Sequence, residues 1–470
     1  MTLSATHWLN REFDPAYWAK HHLSPVLRDQ NLESILISEI SNLSDLGRFR
    51  FLTGESYRLR ASNPDDIDSE LSLLQALLAS EENESNGRGR SQELKPVPSS
   101  VILLVNDLMA EAIREGASDI HFEPFEKYLL VRYRVDGSLR ETRRLDCDIK
   151  PMVISRLKIM GGLDIAERRL PQDGRIRFHI DEKVVDVRLS TLPTEFGEKA
   201  VLRILDKSAL RLELESLGMS GSDLALFRKY LGRAHGIILV TGPTGSGKTT
   251  TLYSAINEIR SPELNITTIE DPIEYNLEGI NQTQIKPEIG LNFAHTLRSI
   301  LRQDPNIILV GEIRDSETLK IALRAALTGH LVLSTLHTND SVSAISRLLD
   351  LEAERGLLAT ALRLVIAQRL VKVFCDHCKK RVNDNSGDNS DVYESVGCER
   401  CYGNGFSGRK AIFEFFEITE SVMNAIETGA STTQLRKLSR EEGINTLREA
   451  GVRMVANGET DMNQVIRESM

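Results

Sequence analysis

Long apolar runs are missing from this chain. None approaches the roughly 18 to 20 residues that a bilayer-spanning helix requires, so membrane association is expected only through partners or an amphipathic surface. Residues 1–10 carry neither the basic start nor the apolar stretch of a secretory signal, which points to a cytoplasmic protein. Basic charge is also short: 58 Lys and Arg face 68 Asp and Glu, for a net charge of −10 at pH 7. That balance speaks against nucleic acid as the main partner, because phosphate binding needs clustered cations. Cysteine is scarce, with five residues, and in a reducing compartment these read as metal ligands or buried thiols and not as disulfides. Aromatics make up only 5%, and both tryptophans, Trp8 and Trp18, fall near the start. What remains is ordinary globular material, 41% hydrophobic and long enough at 470 residues for about three domains.

The stretch Gly242-Pro-Thr-Gly-Ser-Gly-Lys-Thr249 stands between an apolar run, Ile237 to Thr241, and a helical run from Thr250. A strand feeding a glycine-rich loop that opens a helix is the context in which this pattern binds nucleotide phosphates. Gly242, Gly245 and Gly247 free the backbone to turn successive N–H groups inward, and Pro243, Thr244, Ser246 and Thr250 complete the cradle. The helix N-terminus adds partial positive charge at the same spot. Lys248 is placed to meet the β- and γ-phosphates of ATP, and the Thr249 hydroxyl to hold Mg2+.

Residues 1–80 read as a docking module or a small helical domain. Leu32, Ile35, Leu36, Ile40 and Leu43 follow helical spacing, as do Ile67, Leu71, Leu74 and Leu78. Residues 81–100, rich in charge, Gly, Ser and Pro, form a linker. Residues 101–208 open with a helix, pass through Ser118-Asp-Ile-His-Phe-Glu-Pro124, and alternate as strands around the hairpin signal Asp136-Gly137. This predicts a small α+β domain. Across 209–470, short β-branched runs at 237–241, 265–269, 307–310 and 331–335 alternate with helical stretches. Such units predict an α/β domain with a mostly parallel sheet, helices on both faces, and the phosphate loop at its carboxyl edge.

Hydrolysis at that edge needs an acid for Mg2+ and a group that orients the attacking water. Ile307-Ile-Leu-Val-Gly-Glu312 has the apolar strand of a Walker B motif with Gly311 where Asp is usual. Glu312 then carries the charge, unless it only caps the helix beginning at Ser316. Thr268-Ile-Glu-Asp-Pro-Ile-Glu-Tyr275 gathers Glu270, Asp271 and Glu274, whose mutual repulsion calls for a cation. Glu270 is the candidate for orienting water. His330 precedes a strand and His337 follows it; His337 is the candidate for sensing the γ-phosphate, while His330 is equally well read as structural.

GPTGSGKTTTLY, TIEDPIEY, LRSILRQDPNIILVGEIRD and TGHLVLSTLHTND, in this order, resemble the secretion ATPase superfamily, the motors of type II secretion and type IV pilus assembly. The resemblance runs from about residue 101 to the C-terminus. It implies a RecA-like P-loop ATPase core preceded by a PAS-like α+β domain that carries SDIHFEP. It also implies arginines that reach the nucleotide from that domain. Arg188 and Arg203 occupy the matching positions; surface ion pairs are their alternative. A homo-hexameric ring follows from the same resemblance, with inner-membrane platform proteins docked through residues 1–80 and peripheral attachment through them. Asn306 stands where an aspartate is expected, but it precedes the strand and should not affect catalysis.

Cys375-Asp-His-Cys378 and Cys398-Glu-Arg-Cys401, with 19 residues between them, fit a structural tetracysteine zinc site in a subdomain at 371–416. Assembly-direction members of the family carry such an insertion. His377 is read as a bystander, Cys147 as a plain thiol, and 417–470 as a helical C-terminal region. The short region before the linker favours type II secretion over pilus extension. A nucleotide-binding scaffold without turnover and a DNA-translocating motor are further readings; Lys248, Glu270 and Glu312 oppose the first, and the acidic balance opposes the second.

Overall fold

The computed structural model describes residues 23–28, 31–37, 58–61, 67, 98–180, 183–205, 212–382 and 392–469. The chain divides into two compact units, Met1–Asp206 and Lys207–Met470.

In the first unit β1 (Leu23–Arg28) pairs antiparallel with β2 (Asn31–Ile37), and β3 (Arg58–Ala61) pairs parallel to β2. This corrects the helix expected through Leu32, Ile35 and Leu36. Spacing alone cannot separate helix from strand in so short an apolar run, and here the partner strands and the β-branched Ile35 and Ile37 decide for strand. Ile67 is helical and buried. The other residues of that second expected helix, with Ile40, Leu43, the N-terminal aromatics and nearly all of the linker, lie outside the described residues.

Six antiparallel strands follow, β4 (Asp119–Pro124), β5 (Tyr128–Val135), β6 (Ser138–Asp146), β7 (Gln172–Ile180), β8 (Lys183–Thr194) and β9 (Gly197–Leu205). Their order is β6-β5-β4-β9-β8-β7. Asp136 and Gly137, both at positive φ, close the β5–β6 hairpin. Helices Ser99–Arg114 and Lys150–Met160 cover one face, where Val105, Leu108, Met109 and Leu157 join Ile120, Phe122, Val187 and Leu202 in one core. Side chains alternate along a strand, so the opposite face holds the charges. There Arg134, Asp119, Arg203, Arg188 and Arg175 stand in one row across five strands.

The second unit is built on seven strands: β10 (Gly236–Thr241), β11 (Ile266–Glu270), β12 (Asn281–Gln284), β13 (Ile307–Val310), β14 (Leu331–Leu336), β15 (Leu362–Phe374) and β18 (Phe406–Glu417). The order is β12-β11-β13-β14-β10-β15-β18, parallel throughout except for the antiparallel β15–β18 pair. Both faces of the central strands are covered, which is why β10 and β13 read as largely apolar runs, while the edge strand β12, Asn281–Gln284, is polar. Ile237, Leu239, Ile308 and Val310 pack into one cluster, and Ile238, Val240, Ile307 and Leu309 into the other. The short antiparallel pair β16 (Lys379–Val382) and β17 (Val392–Ser395) interrupts the β15–β18 connection beside the four cysteines. Four helices between Glu420 and Ser469 end the chain.

Candidate functional site

The chain leaves β10 and turns through 242–247 into the helix Lys248–Ile259. A Cβ on Gly242 would lie 2.4 Å from the Gln368 carbonyl oxygen and 2.6 Å from Ser246 Oγ, so only glycine fits between loop and neighbouring strand. Gly247 begins the helix at φ 87° without a side-chain cap, which leaves the first-turn N–H groups to an anion. Lys248 folds back over the loop and donates to the carbonyls of Gly242 (2.8 Å) and Pro243 (2.9 Å). Burial brings its pKa down to about 8, with Glu312 opposing and Arg369 adding to the shift. Ser246 Oγ is buried and has no hydrogen-bond partner among the described residues. A buried hydroxyl inside a loop of backbone donors is the arrangement a polyphosphate satisfies. Thr249 is exposed and Thr250 half-buried, while Thr251 donates to Gln368 Oε1 (2.7 Å) and ties the helix to β15.

Glu270 ends β11, buried, with both oxygens occupied. Thr268 Oγ1 (2.5 Å) and Gln282 Nε2 (3.0 Å) donate to Oε1, and the Tyr253 hydroxyl donates to Oε2. Burial and the adjacent carboxylate raise the Tyr253 pKa above its ordinary value. The compensation expected from a cation at Glu270, Asp271 and Glu274 therefore comes, for Glu270, from three neutral donors of the protein. Asp271 is exposed and Glu274 half-buried.

Glu312 follows β13, with Arg314 on Oε1 and His337 Nε2 3.6 Å from Oε2. Asp315, not Glu312, caps the helix Ser316–Leu327, accepting from Thr318 N at 2.8 Å. Burial and Lys248 lower the His337 pKa against the pull of Glu312. Lys248, Glu312 and His337 thus gather at one carboxyl edge. Gly311 has a steric reason to replace aspartate: a Cβ there would sit 3.1 Å from the Ile269 carbonyl oxygen and 3.4 Å from Glu270 Cα. His330 lies at the amino end of β14, its Nδ1 2.9 Å from the Ala325 carbonyl oxygen at the close of a helix, and is structural. Asn306, at the same edge, accepts from Asn265 N at 2.7 Å.

In the first unit Arg203 Nε lies 3.2 Å from Asp119 Oδ1, and Arg134 Nε 3.5 Å from Asp119 Oδ2. Arg188 stands beside Arg203 in register. Sequence reasoning missed Tyr253, Gln282, Gln368 and Arg369. The signal available was the polar pair Gln368-Arg369 between the apolar stretches Leu364–Ala367 and Leu370-Val371 of one strand.

The four Sγ atoms of Cys375, Cys378, Cys398 and Cys401 lie within 4.8 Å of one another. Cys375–Cys398 is 3.9 Å, and Cys378–Cys401 and Cys398–Cys401 are both 3.7 Å. A tetrahedron with Zn–S of about 2.3 Å has edges of about 3.8 Å, so the donors fit zinc. Against the effect of burial, N–H donation from Cys398 (3.1 Å) and Gly405 (3.3 Å) lowers the pKa of the Cys401 thiol, while burial and its thiol neighbours raise that of Cys378. His377, exposed, accepts from Arg400 and stays outside the tetrad. Cys147 is exposed in the first unit.

Residues 96–467 match the family described as Type II/IV secretion system protein. The Type II secretion system protein HxcR of Pseudomonas aeruginosa is 49% identical over 367 residues, 78% of this chain and 77% of that protein. The Type II secretion system ATPase E of Vibrio cholerae is 46% identical over 377 residues, 78% of this chain and 75% of that one. The Type IV pilus assembly ATPase PilB of Myxococcus xanthus is 42% identical over 456 residues, 94% of this chain and 78% of PilB. Among solved structures, the pilus retraction motor PilT with bound ADP shares 28% identity at a TM-score of 0.53, covering 77% of this chain and 96% of PilT. The ATPase DotB of Legionella pneumophila shares the fold at 21% identity and a TM-score of 0.60, covering 80% of this chain and 97% of DotB. The chain belongs to the type II/IV secretion system protein family.

Proposed function

We propose that this chain hydrolyses ATP and uses the energy to assemble pilin-like subunits into the pseudopilus of a type II secretion system. One observation carries the reading: Lys248, Glu312 and His337 converge beside a phosphate-shaped loop in a chain 46% identical to a named secretion ATPase. The 242–249 loop and Lys248 hold the triphosphate. Thr249 and Glu312 are the residues to hold Mg2+, which would neutralise charge on the phosphates. Glu270, fixed by its three donors, orients water, and His337 reports the γ-phosphate. Arg188 and Arg203 are assigned to the transferred phosphoryl group by family resemblance; within the first unit Arg203 is ion-paired with Asp119, the alternative role. The zinc held by the four cysteines is structural, since four thiolates leave no open position.

The chain works as a homo-hexamer on the cytoplasmic side of the inner membrane, docked to platform proteins through residues 1–80. Among the described residues no helix is long and apolar enough to cross a membrane. Pilus extension is the second reading, because the PilB alignment covers 94% of this chain against 78% for HxcR. The full chain, used as bait for inner-membrane proteins of the host, separates the two. Capture of type II assembly proteins, lost when residues 1–80 are removed, supports secretion; capture of pilus platform proteins transfers the chain to extension. ATP turnover is expected without DNA and unchanged by it, and Lys248→Ala should abolish it; a Lys248→Ala protein with full turnover would remove the site assignment.

A further inference from the structure

Leu336, Thr241, Ala367 and Glu414 are register partners across β14, β10, β15 and β18. Residues in one row share a face of the sheet. The segment that follows His337 runs back across this row. Thr338 N donates to Thr241 Oγ1 (2.9 Å), and the two threonine hydroxyls lie 2.7 Å apart. Arg369 Nη2 reaches the Asn339 carbonyl oxygen (3.0 Å). Ser341 then delivers both its backbone N–H (3.0 Å) and its hydroxyl to Glu414 Oε1. Ala367, between the two anchors, is the smallest side chain of the row and leaves the crossing open.

Glu414 is 6% exposed, and its second oxygen is also committed: Leu447 N donates to Oε2 at 3.2 Å. One buried carboxylate therefore binds the N-termini of two helices, Ser341–Asp350 and Leu447–Ala456. It is the N-cap of neither, and instead satisfies the first N–H of each, Ser341 N and Leu447 N, which the N-caps leave unbonded. Asp340 already accepts from Ser343 N in the first, and Thr446 and Glu449 form a capping box in the second. What Glu414 adds is a common point of attachment.

We propose that Glu414 is a positioning residue for ATP hydrolysis, fixing the loop that carries His337 and making its placement depend on the docking of the C-terminal helix Leu447–Ala456. The proposal rests on the reading that His337 belongs to the hydrolytic site. Glu414→Gln preserves shape but turns one acceptor into a donor, so it cannot accept from both helices.

The test is kcat and KM for ATP on the full chain, with active sites counted by stoichiometric ADP binding. A displaced catalytic loop lowers kcat per site about tenfold and leaves KM within about twofold. Ser341→Ala removes one donor only and shows the same split at smaller size, which covers the case of a Glu414→Gln chain that fails to fold. In a His337→Ala background Glu414→Gln adds nothing further, because the group it positions is gone. A kcat per site equal to the unmodified chain overturns the proposal, as does a tenfold loss stacked on that of His337→Ala. His337→Ala alone separates the failures. Full turnover there removes His337 from the site and the proposal with it; slow turnover beside an unaffected Glu414→Gln overturns the positioning role only.

Discussion

Lys248 is buried where a free ammonium is disfavoured, and its pKa near 8 sets a pH limit on nucleotide capture. The phosphates need the charged form. The value of kcat/KM, which reports the free protein, should fall as pH rises through about 8, approaching tenfold per pH unit above it. Stability should move the other way. An unfolded lysine keeps its proton to an ordinary value of 10.5, so between about 8 and that value the unfolded chain binds more protons and the folded state gains as pH rises. A flat kcat/KM from pH 7 to 9.5 would contradict this account of Lys248. Glu270 makes a different demand, for donors. Tyr253→Phe leaves Glu270 Oε2 buried without its hydroxyl partner. A loss of about 1–3 kcal/mol in urea unfolding is expected, together with slower turnover; a variant matching the parent on both counts would show the contact to be incidental.

Between elements, the distances that matter are those that leave no room. Gly311→Asp restores the usual acid of the motif, yet it should slow turnover, because a Cβ presses on the Ile269 carbonyl oxygen and Glu270 Cα in the adjoining strand. Faster turnover in that variant would mean that β11 and β13 part easily. This crowding was not legible in the sequence, where Gly311 is only a departure from a pattern. Four of the parallel strands were legible, since burial on both faces makes Ile307–Val310 apolar throughout and Leu331–Leu336 apolar but for two buried hydroxyls, Ser334 and Thr335; the polar edge strand Asn281–Gln284 carried no such signal. β2 was misread because its apolar residues satisfy either period until a partner strand chooses. Glu414, the lone carboxylate of the buried stretch AIFEFF, gave no hint of its donors, which lie 73 and 33 residues away.

At the scale of the molecule the cysteines behave as a single unit. Cys398→Ser should lose the metal and open 371–416 to protease, because metal affinity there is folding free energy; unchanged zinc content by atomic absorption would refute the site. The same loss should leave nucleotide binding largely intact, since the phosphate loop lies at residues 242–249. The path between the two sites is one strand. β15 backs the phosphate loop at Gln368 and continues to Phe374, where it still pairs with Phe406 of β18 and the two rings stack at 5.4 Å. Topologically the ribbon is an ordinary hairpin whose turn has been exchanged for a head that carries the four cysteines. Residues 375–405 can therefore be cut away and the ends rejoined across Phe374 and Phe406 without touching a rung of the parallel sheet. The head is a detachable fitting on a fixed mast, and its identity can change while the engine beneath it does not.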